Sequence, residues 1–250
     1  MKKIGIIAAL KREVKSLIDE MEGYPYIKKS DISSHPIYEG TINGKKVIVV
    51  ISGVGKKGAK RATRILIDSY SPDLIITTGY AGSLSPDFVV GDVVEFTRAV
   101  SKSGEKIDFI PPTANHNPSI SFKNIQNETT LTVDRFIASV AEKKELGRRL
   151  QASIVDMESF YVGKIAVERG VSCLGIRVVS DDLGMELPKM SGILNREGEV
   201  NVVRAVRYLI GHPGVIVPIL IFLYNIRKTT KILNEYIKKK HFFCRNMGKI

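Results

Sequence analysis

Apolar positions follow two rhythms along this chain. Residues 3–10 form a near-continuous apolar run, the pattern of a strand buried on both faces of a parallel sheet. Val14, Leu17, Ile18 and Met21 follow at helical spacing. Between Thr41 and Ser52 an Asn-Gly-Lys-Lys turn leads into the strand V-I-V-V-I-S. Gly53 to Gly58 is a glycine loop, and the segment to Asp68 is helical with Ala62, Ile65 and Leu66 on one face. Asp73–Thr78 is the next strand, followed by a small-residue loop at Gly79–Ser83, and V-V-E-F after Gly91-Asp92 is another. Residues 101–130, rich in Ser, Pro, Asn and Lys, have no period and predict an irregular excursion. Order returns at Thr132–Val140, and a helix is expected over 141–150. A helix carrying Glu158 and a strand ending in Arg177, Ser180 and Asp181 come next. Residues 184–200 read as a polar loop and Val202–Leu209 as a helix, broken at His212-Pro213-Gly214. The apolar run Val215–Tyr224 contains Pro218, and Ile232, Tyr236 and Ile237 continue an apolar stripe among lysines. Alternating strands and helices predict an α/β domain with a mostly parallel or mixed sheet over residues 1–210. Residues 211–250 are expected to form an apolar and basic C-terminal helical extension.

Charge sharpens the picture at one end only. From Ile226 to Ile250, eight basic residues stand against Glu235, giving +7 of the formal +12. Such a segment suits an anionic lipid or nucleic-acid surface, or is simply a solvated face. The apolar run before it is far shorter than the roughly 20 residues that span a bilayer. An amphipathic segment lying in a membrane interface and a helix docked on the domain or a partner subunit both fit the pattern. Cys173 and Cys244 are the only cysteines, and their settings fit a reducing compartment rather than a disulfide framework. The basic-then-apolar start is a first strand rather than a signal peptide, because Lys11, Arg12 and Glu13 stand where cleavage should fall. The four histidines are scattered, without zinc spacing.

Candidate chemistry collects at predicted strand ends. Gly53, Gly55 and Gly58 fit G-x-G-x-x-G, but the next strand begins with Asp73 and ends T-T-G, so the ribose-binding acid of a dinucleotide site is at the wrong end. Ala59 after Gly58 excludes a Walker A loop. What survives is a loop bringing backbone N–H groups to an anion or a sugar, or a tight strand-to-helix turn. Ser52, Gly79, Asp181 and, just past the first strand, Glu13 fall at carboxyl ends of strands, where α/β ligand sites form. Glu158 shares a predicted helical stripe with Tyr161, Val162 and Ile165. A buried unpaired carboxylate is costly, and Arg177, alone in an apolar strand, is its natural partner.

The pieces K-I-G-I-I-A-A-L-K-R-E, I-S-G-V-G-K, I-I-T-T-G-Y-A-G-S-L, V-G-D-V-V, D-R-F-I, V-D-M-E-S and R-V-V-S-D occur in family order over most of residues 3–185. In these the chain resembles the nucleoside phosphorylase/nucleosidase superfamily, especially the methylthioadenosine/S-adenosylhomocysteine nucleosidases. D-R-F-I-A-S-V-A-E-K ahead of V-D-M-E-S and the Pro-Gly-containing extension resemble its hopanoid-associated branch. The resemblance implies a single three-layer domain with a mixed central sheet flanked by helices. It implies removal of adenine from a nucleoside, in that branch from adenosylhopane, by an enzyme that is at least a dimer. No metal or organic cofactor is implied, and nucleic acid is not an expected partner. A cytoplasmic enzyme is implied, peripheral on the inner face of the membrane through residues 213–250 if its substrate is lipid-linked. It makes Asp181 the acid that protonates the purine and Glu13 the residue that activates water. Glu158 becomes the ribose ligand with Met157 beneath the sugar and Arg177 orienting Glu158. Phe136 would stack on the base and the Ile137 backbone read its edge, with Ser180, Gly79, Tyr80 and Ser52 lining the site. Tyr80 departs from the small residue of many nucleosidases. Thr77 and Thr78 stand where a phosphate-binding arginine would be sought, which favours water as nucleophile, although Lys11, Arg12, Lys56 or Lys57 could hold phosphate. A soluble methylthioadenosine/S-adenosylhomocysteine nucleosidase and a non-catalytic lipid- or RNA-binding domain are the rival readings.

Overall fold

The computed structural model describes residues 3–27, 35–110, 128–187, 214 and 216–239. Strand β1 (Lys3–Ala8) is followed by a 3-10 turn (Lys11–Glu13) and helix α1 (Lys15–Asp19). Then come β2 (Glu22–Ile27), β3 (Ile37–Ile42), β4 (Lys45–Ile51), α2 (Lys56–Tyr70) and β5 (Leu74–Ser83). After these lie β6 (Val93–Phe96), β7 (Arg98–Ser101), β8 (Lys106–Asp108), β9 (Thr129–Thr132) and α3 (Val140–Leu150). The chain continues through β10 (Ile154–Asp156), α4 (Ser159–Glu168), β11 (Ser172–Asp181) and α5 (Ile216–Lys239). The expected helix over 202–209 and the tail beyond 239, with Cys244, lie outside the described residues.

The described strands form one mixed sheet, ordered β2-β3-β4-β1-β5-β10-β9-β7-β8, with β11 pairing both β5 and β6. Period-two alternation places Ile7, Ile48, Ile75 and Cys173 on the face covered by α2 and α4, with Ala62, Leu66, Val162 and Ala166. Ile4, Ile6, Val47, Val49, Ile76 and Leu174 point to the other face, where Leu17 and Ile18 of α1 meet Leu233 and Ile237 of α5. A third cluster packs α3, through Leu146 and Leu150, on Leu131, Val100 and Val155. The result is the expected three-layer α/β architecture. The β3–β4 hairpin turns at Asn43 and Gly44, both at positive φ (50° and 77°), the conformation a tight two-residue hairpin requires.

Three local expectations change. Gly79–Ser83 is not a loop but the second half of β5, because its backbone finds partners on β11 and β10. The aperiodic stretch contains β8, a short edge strand paired with the neighbouring β7, and ends in β9, which is held between β7 and β10; 111–127 lie outside the described residues. Glu158 precedes α4 at its N-cap position rather than lying on the helical stripe.

The pairing of β5 creates an opening. One edge is lined by β11 from Leu74 to Gly82. On the opposite edge β1 pairs only from Leu74 to Thr78, and β10 joins at Gly82 and Ser83. Between the end of β1 and the start of β10, residues Gly79–Ala81 have no strand beside them on that edge. The residues that follow β1 and β10 therefore converge on one gap, as expected where strand order diverges in an α/β sheet.

Candidate active site

Glu13 enters the gap from the β1 side. It is 2% exposed, and Oε2 accepts the Leu10 N–H at 2.9 Å, which closes the 3-10 turn. Gly79 lies against it: a Cβ built there would be 3.0 Å from Glu13 Oε1. At φ 153° and with the carboxylate this close, glycine fits where a Cβ would push Glu13 aside. Burial pushes Glu13 up to about 7, against the lowering effects of the Leu10 N–H and of the Arg177 and Arg12 charges. A carboxyl poised near neutrality suits general acid–base work.

Glu158 enters from the β10 side, buried, and its Oε1 accepts the Gly55 N–H at 2.7 Å. The glycine loop thus brings a backbone amide to a carboxyl group of the chain itself. Gly55, at φ 91°, is free to aim that amide, while a Cβ at Gly58 would fall 2.1 Å from the Ser52 carbonyl oxygen. Burial, then the Asp156 charge, raises Glu158 above the usual carboxylate range; Arg177 and the Gly55 N–H oppose them.

Arg177 does not pair with Glu158 as expected. Its Nε donates to Asp156 Oδ2 at 2.9 Å and its NH2 group to Thr77 Oγ1 at 3.2 Å, with both charged side chains essentially excluded from solvent. Asp156 accepts in addition from Thr132 Oγ1 at 2.7 Å, from the Ser159 hydroxyl and from the Glu158 and Ser159 N–H groups. Asp156 is the hub that the sequence reading missed: it satisfies Arg177 and fixes the backbone turn presenting Glu158. Its place in V-D-M-E-S, two residues before Glu158, was the available signal.

Asp181 closes β11 at a bulge, where the register to β5 shifts between Val179 and Asp181. The extra residue, Ser180, re-aims the strand end and donates its hydroxyl to Asp181 Oδ1 at 2.8 Å. Gly82 lies beside the carboxylate; a Cβ there would be 2.8 Å from Oδ2. Burial raises Asp181, opposed first by the Lys143 ammonium, whose Nζ is 2.6 Å from Oδ2.

Ser52 spends its hydroxyl on the Gly53 and Ala8 carbonyls, at 2.8 and 3.3 Å, and so shapes the glycine loop. Met157 is half-buried between Asp156 and Glu158, and Ile137 is buried. Phe136 meets Phe222 of α5 edge-on, with ring centroids 5.8 Å apart. Tyr80 shares a 2.6 Å hydrogen bond with Thr230 of α5, and the Arg12 guanidinium lies 5.6 Å from its ring centroid. The site is thus a gap lined by three buried carboxyl groups, each raised by burial, and walled on one side by the C-terminal helix. Of the basic residues expected to be able to hold phosphate, Lys11 lies over Tyr38 and Lys56 over Tyr161.

This fold and site define a class. The Phosphorylase superfamily profile matches residues 3–205, and the chain belongs to that family. It is 28% identical over 234 residues to the 5'-methylthioadenosine/S-adenosylhomocysteine nucleosidase of Halalkalibacterium halodurans, a match covering 86% of this chain and all of that one. With the protein of the same name from Shewanella pealeana it shares 44% identity over 92 residues, a stretch spanning only 39% of that relative's length. The fold is that of the Campylobacter jejuni nucleosidase of this name, with a TM-score of 0.66 over 94% of this chain and all of that one at 17% identity.

Proposed function

We propose that this protein hydrolyses the N-glycosidic bond of an adenine nucleoside. One observation carries the reading: Glu13, Glu158 and Asp181, from three distant parts of the chain, are buried around one gap in the sheet. Breaking the bond leaves an electron-poor ribosyl centre and an electron-rich base. Glu158, when ionised, places negative charge beside the first. Protonation through Asp181 relieves the second, since adenine leaves poorly as an anion. Glu13, near neutrality, takes a proton from the attacking water. Thr77 is bonded to Arg177 and offers no cation for phosphate, which supports water over phosphate as nucleophile.

The substrate we propose is adenosylhopane, a lipid-linked nucleoside, taken up at a membrane surface. Supporting it, the first half of α5 exposes Ile216, Val217, Leu220, Ile221, Leu223 and Tyr224, while Phe222 of the same segment reaches Phe136. Arg227 and Lys228 follow, both exposed, giving the apolar-then-basic order that suits an anionic bilayer surface. Among the described residues no helix is long and apolar enough to cross a membrane, so contact would be peripheral. The relatives' named substrates, methylthioadenosine and S-adenosylhomocysteine, are the second reading.

Adenine release from methylthioadenosine and from adenosylhopane, each with and without phosphate, decides between them. Preference for adenosylhopane without a phosphate requirement is expected. Asp181→Asn should lower turnover by about 10²–10⁴-fold with an unchanged circular dichroism spectrum. Retained turnover would remove Asp181 as the acid.

A further inference from the structure

Lys143 belongs to no role assigned so far. It lies on α3 with its side chain wholly excluded from solvent, among the largest fully buried side chains of the described residues. Its Nζ has three oxygen neighbours: Asp181 Oδ2 at 2.6 Å, the Asp182 carbonyl at 2.9 Å and the Met185 carbonyl at 3.2 Å. Three acceptors match the three hydrogens of an ammonium group. On Asp181, Oδ2 accepts from Lys143 and Oδ1 from Ser180, so both oxygens act as acceptors. Both carboxylate oxygens therefore face donors, and the proposed chemistry needs a transferable proton at this position. The nearest transferable proton is on Lys143.

We propose that Lys143 is the positioning residue that supplies, through Asp181, the proton delivered to the leaving base. This rests on the hydrolase reading above. The proton moves from Nζ to Asp181 and on to a base nitrogen as the glycosidic bond breaks and its electron pair passes to the base. Water adds hydroxide to the ribosyl carbon and gives its other proton to Glu13. Lys143 is left as a neutral amine beside the Asp181 carboxylate, and is recharged from solvent once products leave. The other charge acting on Asp181 is Asp182, which raises it. β5 and β10 present Gly82 and Val155 there, neither titratable. No second cation on these elements replaces Lys143.

The test uses the full chain and adenine release from its best adenosyl substrate. Lys143→Met should lower kcat at least 100-fold with KM changed less than threefold. Its residual activity should lose its basic limb at lower pH than the wild type, because the proton must then reside on Asp181 alone. Lys143→Arg keeps the charge but does not give up a proton, and should be as slow as Lys143→Met while folded by thermal melting. If the arginine variant does not fold, the pH profile of Lys143→Met decides alone. Wild-type kcat in the arginine variant, or an unmoved basic limb in the methionine variant, overturns the role and leaves Lys143 a tie for the Asp181–Met185 segment. A wild-type chain that releases no adenine overturns the hydrolase reading itself, and this role with it.

Discussion

At the scale of single residues, Glu13 sets function against stability. Its folded value of about 7 lies above the ordinary 4.5, so the fold favours the protonated form. That contribution is fully present below about pH 4.5 and is lost as pH rises through about 7. Glu13→Gln should therefore be more stable than the wild type at pH 8 by on the order of 3 kcal/mol, and equal at pH 4, as read by urea unfolding. As a base, Glu13 works only when ionised, so kcat/KM should climb through about pH 7 on the acid side; a profile flat from pH 5 to 8 would count against the role. Gly79 guards the same carboxylate. Gly79→Ala places a Cβ 3.0 Å from Oε1, and the resulting shift should cost roughly 10²-fold in kcat while the chain still folds. Glu13, Glu158 and Asp181 were legible in the sequence, because acids at strand ends and in apolar settings stand out. Asp156 and Lys143 were not, although Lys143 shares a helical face with the buried Leu146, Gly147 and Leu150. What a buried lysine pairs with depends on a strand 38 residues away.

At the scale of elements, the buried Asp156–Arg177 pair ties the turn before α4 to the middle of β11. Removing one partner leaves the other charged and unpaired. Arg177→Met should cost about 3–5 kcal/mol in denaturant unfolding, and adding Asp156→Asn should recover part of it. The same cycle distinguishes an arginine acting through Asp156 from one that orients Glu158 directly. Helix α5 is tied to the site by Asn234, whose Oδ1 accepts the Ser16 N–H at 2.9 Å and whose Nδ2 donates to the Arg12 carbonyl at 3.1 Å. Asn234→Ala should lose about 1–3 kcal/mol and loosen the turn carrying Glu13, so a kcat deficit should accompany the drop in melting temperature. Strands β1, β4, β6 and β11, the first half of β5, and helices α2 and α3 were legible from period and glycine placement; the short β2, β7, β8 and β10 were not. The continuation of β5 through Gly79–Ser83 was not, because small residues read as a loop until two neighbouring strands satisfy their backbone.

At the scale of the molecule, α5 plays two parts. Its second half buries Leu233 and Ile237 in the core beside β1 and α1, with Lys238 paired to Glu20 at 2.5 Å. Its first half exposes an apolar row beside the site. A membrane role predicts that anionic vesicles sediment the protein, and that Leu220→Glu with Ile221→Glu abolishes this. Those substitutions should leave turnover of a soluble nucleoside unchanged, because the altered side chains face solvent.

By itself the sequence determined the α/β class, the strand-end acids and the family likeness, since these depend on period, residue type and local order. The partners of those acids and of Arg177 were decided only by the tertiary structure: the Gly55 amide for Glu158, Lys143 for Asp181 and Asp156 for Arg177. A charge's partner is fixed by which strands meet in space, and here that is set by the edge of β5 that β1 leaves and β10 joins.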